Sequence, residues 1–141
     1  MSEVEAKPLN WSAGSNIGYT VERRSDGGMN ITFSSLDLET LDHWRDFALS
    51  HLIDSDRLTR NLYDLRNVET LTDDAIQYAL EVNNDPSVRN IRLAVVVSNE
   101  KVFKGVLEVQ ALTSPGGVEM GIFTSMEEAE AWLKRPLTYL V

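Results

Sequence analysis

The stretch "DLRNVETLTDDAI", residues 64–76, gathers side chains able to do chemistry: Asp64, Arg66, Asn67, Thr72, Asp73 and Asp74. Carboxylates this close in sequence can chelate a divalent cation or work as an acid and base pair. The same residues also have a structural use. Thr72 is placed to cap a helix, and Asp73 and Asp74 then occupy its positive first turn, where the helix dipole favours each by ~0.3–1 kcal/mol. Capping accounts for the pattern without a metal, and acids at that helix end repel the anions that most phosphate-binding loops hold. No metal and no cofactor is expected, and no catalytic residue is assigned.

Other chemical signatures are sparse. His43 and His51 stand on one expected helix, ~12 Å apart along its axis, too far to share a metal. Neither has a His or Glu partner at the spacing zinc enzymes use. The chain has no Cys, so thiolate catalysis, thiolate metal sites and disulfides are excluded. A Gly-x-Ser-x-Gly elbow, a Gly-Lys-Ser/Thr phosphate loop and a strand-to-helix Gly-x-Gly-x-x-Gly are all missing. Trp44, Phe47, Phe103 and Trp132 lie on or beside helical apolar stripes and are expected in the core.

The elements that must position the acidic loop follow from hydrophobic period. "GYTVERR" and "MNITFSS" alternate in polarity around "SDGG", whose glycines suit a tight hairpin. Leu41, Trp44, Ala48 and Leu52 recur at helical spacing behind an Asp37 cap, giving a helix over 38–53. "NLYDL" is a short strand, and "DDAIQYALEVNN" a helix closed by Asn83, Asn84 and Pro86. "IRLAVVV" is a β-branched run suited to a strand covered on both faces. "NEKVFKGVLEVQAL" sets Val102, Phe103, Val106 and Leu107 on one expected helix stripe. "VEMGIF" is the last strand, and "SMEEAEAWL" the last helix, with Ser125 and Glu128 as a capping box and Ala129, Trp132 and Leu133 turned inward.

Strands alternating with single helices imply parallel strands joined by right-handed crossovers. The expected class is α/β, with a mixed, mostly parallel five-stranded sheet, an antiparallel N-terminal edge hairpin and the order β-β-α-β-α-β-α-β-α. Such a sheet offers a crevice at the carboxyl ends of its strands, beyond Asp64, Val97 and Phe123. Residues 1–16 read as a flexible tail, residues 17–135 as one domain, and 136–141, "PLTYLV", as an apolar tail that packs back or meets a second copy.

A chain of 141 residues buries ~68% of its unfolded surface as one domain. Its formal charge of −9, from 22 acidic and 13 basic residues, opposes phosphate backbones and anionic lipid surfaces, so nucleic acid is not an expected partner. Arg23 and Arg24 would face opposite sides of a strand. No apolar run approaches the ~18 residues of a membrane span. The N-terminal residues carry neither a basic nor an apolar export segment, so integral membrane association is not expected and cytoplasmic location is.

The aspartate closing the strand in "YDLRNV", the small-residue turn into the next helix, the central "RLAVVVSNEKVF" and the ending "VEMGIFTSMEEAEAWL" together resemble the SpoIIAA-like proteins, bacterial relatives of STAS and CRAL-TRIO domains. The resemblance spans roughly residues 17–135. It implies a (βα)n superhelix of adjacent strands with helices packed against them. STAS relatives bind a protein kinase or anti-sigma factor and are switched by phosphorylation of a serine in the pattern Asp-Ser-Ser-Gly. Laid on this chain from Asp64, that pattern falls on "TDDA": Thr72 replaces the aspartate, Asp73 the phosphoacceptor, Asp74 the second serine and Ala75 the glycine. Asp73 thus resembles a permanently charged acceptor, though with less charge than phosphoserine.

These observations lead to a non-enzymatic, cytoplasmic regulatory or protein-binding domain. Its partner surface would comprise Asp64, Arg66, Asn67, Thr72, Asp73, Asp74 and the exposed side of the following helix. The CRAL-TRIO relationship implies a second reading, a carrier of a small apolar ligand or lipid, which requires an internal cavity. Homodimerisation is expected from the apolar tail and the free edge of the hairpin.

Overall fold

A computed structural model of the chain describes residues 7–8, 17–52, 59–114 and 117–136. Strands β2 (Tyr19–Arg23) and β3 (Met29–Phe33) form the expected antiparallel hairpin, with Tyr19 opposite Phe33 and Arg23 opposite Met29. Its turn closes through Arg24 N–H donating to the Gly28 carbonyl at 2.8 Å. Of the two turn glycines only Gly27 takes a positive φ, at 93°. Gly28 is needed for space, because a Cβ there would lie 1.5 Å from the Arg60 carbonyl oxygen of the neighbouring strand. Lys7–Pro8, inside the stretch expected to be a tail, forms a two-residue strand β1 against Arg23 and Glu22. The sheet therefore starts one strand outside the hairpin. The rest of residues 1–16, and 137–141 of the apolar tail, lie outside the described residues.

Strands β4 (Thr59–Asp64), β5 (Ile91–Val96) and β6 (Val118–Phe123) continue the sheet in parallel, so the spatial order is β1-β2-β3-β4-β5-β6, the order of the sequence. The mixed sheet and the succession of elements agree with expectation. Helices α1 (Leu38–Leu52), α2 (Asp73–Asn83) and α3 (Glu100–Leu112) cross from β3 to β4, β4 to β5 and β5 to β6. All three crossovers advance in one direction, and right-handed crossovers then place all three helices on one face. Helix α1 packs on α2, and α2 on α3.

The two sheet faces show that asymmetry in their side chains. On the three-helix face Tyr19, Val21, Met29, Ile31 and Phe33 from the hairpin join Ile91, Leu93 and Val95 in the main core. Helix α4 (Met126–Leu133) follows β6 and returns across the opposite face, where Leu62, Ala94 and Val96 meet Ala129 and Leu133. β5 is buried at every position because helices cover both of its faces. On the hairpin the α4 face is uncovered, which is why Thr20 and Glu22 there are exposed and polar. The expected inward stripe of α3 is turned by part of a step: Val102, Val106 and Val109 are buried, whereas Phe103 is 37% and Leu107 45% exposed. Period alone did not choose between adjacent stripes, and the three valines fit closest to the sheet. Trp132 is half-buried, its ring 5.4 Å from that of Phe123 and beneath the Arg92 guanidinium.

Among the described residues no helix is long and apolar enough to cross a membrane.

Candidate functional site

The loop between β4 and α2 is built on a buried carboxylate. Asp64 ends β4 and is buried. Arg66 donates to it twice from its guanidinium, at 2.9 Å to each oxygen, and once from its backbone N–H at 3.0 Å. Burial alone would raise the Asp64 carboxyl, but the hydrogen bonds and charge of Arg66 outweigh it and hold the group below its ordinary range. Asp64 was expected on the partner surface; instead it faces inward and fixes the turn, while Arg66 carries the exposed end of the pair.

Further ties hold the loop from below. Leu65 and Val68 are buried in the main core. Ser98 Oγ donates to the Arg66 carbonyl at 2.9 Å, and Asn99 Nδ2 donates to the carbonyls of Val68 and Glu69 at 3.4 and 3.3 Å. Leu71 sits against α3 where that helix carries Gly105, so close that a Cβ there would come within 2.7 Å of it. Asn99 also caps α3, accepting from Val102 N–H at 2.9 Å, and Ser125 caps α4. Thr72, Ser98, Asn99 and Ser125 at the strand ends are thus spent on caps and ties.

Thr72 caps α2 as expected, accepting from Ala75 N–H at 3.1 Å. Asn67, Asp73 and Asp74 are exposed, and their side chains make no hydrogen bond or ion pair among the described residues. The upper surface of the loop therefore presents Arg66, Asn67, Thr72, Asp73 and Asp74. Asp64 does not join the other two carboxylates there, and among the described residues no three His, Cys, Asp or Glu side chains gather as a metal site.

Beneath α2 lies a cavity of about 70 Å³. Its roof is the inner stripe of α2, Ala75, Ala79 and Asn83, one residue per turn and all small. Trp44 and Leu41 of α1 wall one side, Val106 and Val109 of α3 the other, and Tyr63, Leu93 and Val95 form the floor. The void sits between the helix layer and the sheet, reaching the carboxyl ends of β3 and β4 at Phe33 and Leu65. The expected crevice beyond Val97 and Phe123 is not its position. It persists because α2 is held at its ends. Asn83 Nδ2 donates to Thr113 Oγ1 at 3.1 Å, and Asn84 bonds the α3 end through Leu112 O and Ser114 N–H. Neighbouring α1 holds the outer side, where Tyr78 hydrogen-bonds Asp42 and Arg45 stacks over the Tyr78 ring at 5.0 Å.

Tyr63, Trp44 and Asn83 are the polar groups of this cavity; the residue pattern placed Trp44 in the core and Asn83 at a helix end, and gave Tyr63 no role. The usable signal was the Ala75–Ala79–Asn83 spacing on an inward helix face. Of the histidines, His43 hydrogen-bonds Tyr19 OH through Nδ1 at 2.8 Å, a structural placement; the His51 side chain lies outside the described residues. Burial pushes the Tyr19 phenol pKa upward.

On the opposite face, buried Arg24 and Arg92 and half-buried Arg60 fasten α4. Arg24 bonds Asp26 and Glu130, with 2.9 Å to Glu130 Oε1. Arg60 donates to the Leu133 carbonyl, and Arg92 to the Arg135 carbonyl at 2.8 Å, each meeting the negative end of the helix. These cations are occupied by structure. No protein-family model, curated protein or solved structure matches the chain.

Proposed function

We propose that the chain is a non-enzymatic, SpoIIAA-like regulatory domain whose protein partner docks on the β4–α2 loop and the outer side of α2. The observation that carries this is the polar ledge of Arg66, Asn67, Thr72, Asp73 and Asp74 on a loop pinned from below. A surface that needs no reordering to bind loses less entropy on association. The sequential strand order with three helices on one face is in keeping with the superhelix the sequence resemblance implies. Asp73, standing where STAS relatives carry the phosphoacceptor, gives the ledge a fixed negative charge.

Photo-crosslinking in the cells that make the protein tests this. A crosslinking residue at Asn67 is expected to trap one recurrent protein. The same residue at Glu127, on exposed α4, is not, and Asp73→Lys with Asp74→Lys should remove the adduct. Capture of only this chain, or equal capture from both positions, would refute docking at the ledge.

A second reading, a carrier of a small apolar ligand, is favoured by the void beneath α2. Its size limits the cargo: an engineered cavity of ~150 Å³ accepts benzene, so about 70 Å³ takes only a few heavy atoms. An acyl chain would require α2 to move outward.

A further inference from the structure

The void beneath α2 contains a donor that the protein does not use. Tyr63 OH accepts a hydrogen bond from Trp44 Nε1 at 3.3 Å, and its own proton has no acceptor among the described residues. A phenol hydroxyl can donate one bond while accepting another. The Tyr63 ring is fixed by an edge-on contact with Trp44, centroids 6.0 Å apart, and by Phe33 at 5.9 Å. Burial pushes the Tyr63 pKa up to about 12, so the hydroxyl keeps its proton through the physiological range. Among the described residues no Asp, Glu, Lys, Arg or His lines the cavity, and an ionised guest would lose its hydration without a counter-charge.

We infer that this void is a binding site for a small uncharged molecule with an apolar body and one carbonyl oxygen, which accepts the Tyr63 hydroxyl proton. The body lies against Trp44, Ala75 and Ala79. This deepens the ligand reading and is independent of docking at the ledge. Water is a poorer occupant. At ~10–15 Å³ each the space would admit about five molecules, but each needs two to four polar partners. Tyr63, Trp44 and Asn83 are the polar groups in the lining, and Trp44 N–H and the Asn83 amide nitrogen are already bonded within the protein.

The test uses the purified full chain and two probes of one shape and four heavy atoms each, acetone and isobutene, followed by amide NMR. Acetone should give saturable shifts at Ala75, Ala79 and Val95. Isobutene should bind roughly three- to ten-fold more weakly, the usual net worth of one hydrogen bond. Tyr63→Phe should make the two probes equal by weakening acetone alone. Ala79→Leu should abolish saturable shifts while the spectrum stays dispersed; if that variant does not fold, the Tyr63→Phe comparison decides alone. Equal affinity for both probes in the native chain, or unchanged acetone binding in Tyr63→Phe, overturns the inference but leaves an apolar-ligand site. No saturable shift with either probe overturns both.

Discussion

Replacing Ala79 by leucine measures the void directly, because residue 79 is half-buried and lines it between Ala75 and Asn83. Enclosed cavities cost stability at ~24 cal/mol per Å³, so this half-open space of about 70 Å³ withholds at most about 1.7 kcal/mol. Leucine supplies three carbons and nearly matches alanine in helix propensity, so most of that sum is recoverable, and about 1 kcal/mol of added stability is expected after imperfect fit. For a domain of this length that is a rise in Tm of about 3–5 °C. Urea unfolding should show a higher midpoint with an unchanged m-value, meaning that stability rose and compactness did not change. The sign is decisive. If α2 lay tightly on the sheet, extra methylenes would force rotamers and backbone apart and cost ~1–3 kcal/mol. A variant destabilised by 1 kcal/mol or more would refute the suspended-helix description.

Other consequences are separately measurable. Thr72→Ala removes the cap of α2 and should lower unfolding free energy by about 1 kcal/mol in urea. Gly28→Ala should cost more than Gly27→Ala, although only Gly27 has a positive φ, because its Cβ meets the Arg60 carbonyl whereas that of residue 27 meets open space; equal costs would mean the strands separate easily. The folded pKa of Asp64 is depressed, so its stabilisation is complete above its unfolded value of ~4 and is lost as pH falls below that. Asp64→Asn should therefore flatten the loss of stability on acidification to pH 3, as read by denaturant midpoints. Tyr63 behaves oppositely. Its pKa rises from the ordinary 10.0 to about 12, so its contribution is complete below pH 10 and lost as pH rises towards 12. Tyr63→Phe should make the alkaline decline shallower, and an unchanged slope would place that phenol in water.

The elements legible in the sequence were those whose side chains alternate or cap unambiguously. Asp37, Thr72 and Ser125 each have a short polar side chain before a periodic apolar run, and each caps its helix. The five full strands were legible because turns or helix caps bound them. What failed was the choice among neighbouring options of similar hydrophobicity. Phe103 and Leu107 are as apolar as Val106, yet α3 turns its smaller residues to the sheet. Asp64 also misled, since an aspartate ending a strand looks presented until Arg66, two residues on, is seen to fold back over it. Lys7–Pro8 could not be found by pattern, because two residues carry no period. A cavity is the sum of several side chains being too small, and only the joint position of Ala75, Ala79 and Asn83 under fixed helix ends reveals it.

The ledge and the void share α2 but use different parts of it. The N-terminal end is fixed by Thr72 and by a loop that Ser98 and Asn99 hold from beneath, and the C-terminal end by Asn83 and Asn84. Between them Ala75, Ala79 and Asn83 line the space. A guest that fits the existing space touches the inner side of the helix at Ala75 and Ala79 and leaves Asp73 and Asp74, on the outer side, where they are. A ligand shifts an equilibrium only by its differential affinity for the two states. A molecule that leaves the position of the α2 start unchanged has no such difference to offer a partner on the ledge. Guest and partner should bind almost independently while the guest fits the existing space. Coupling should appear only for cargo large enough to lift α2, because its outward movement must break the Asn83 and Asn84 ties or draw the capped end away from the loop. Ligand size, more than affinity, would then decide whether the cavity can regulate the surface above it.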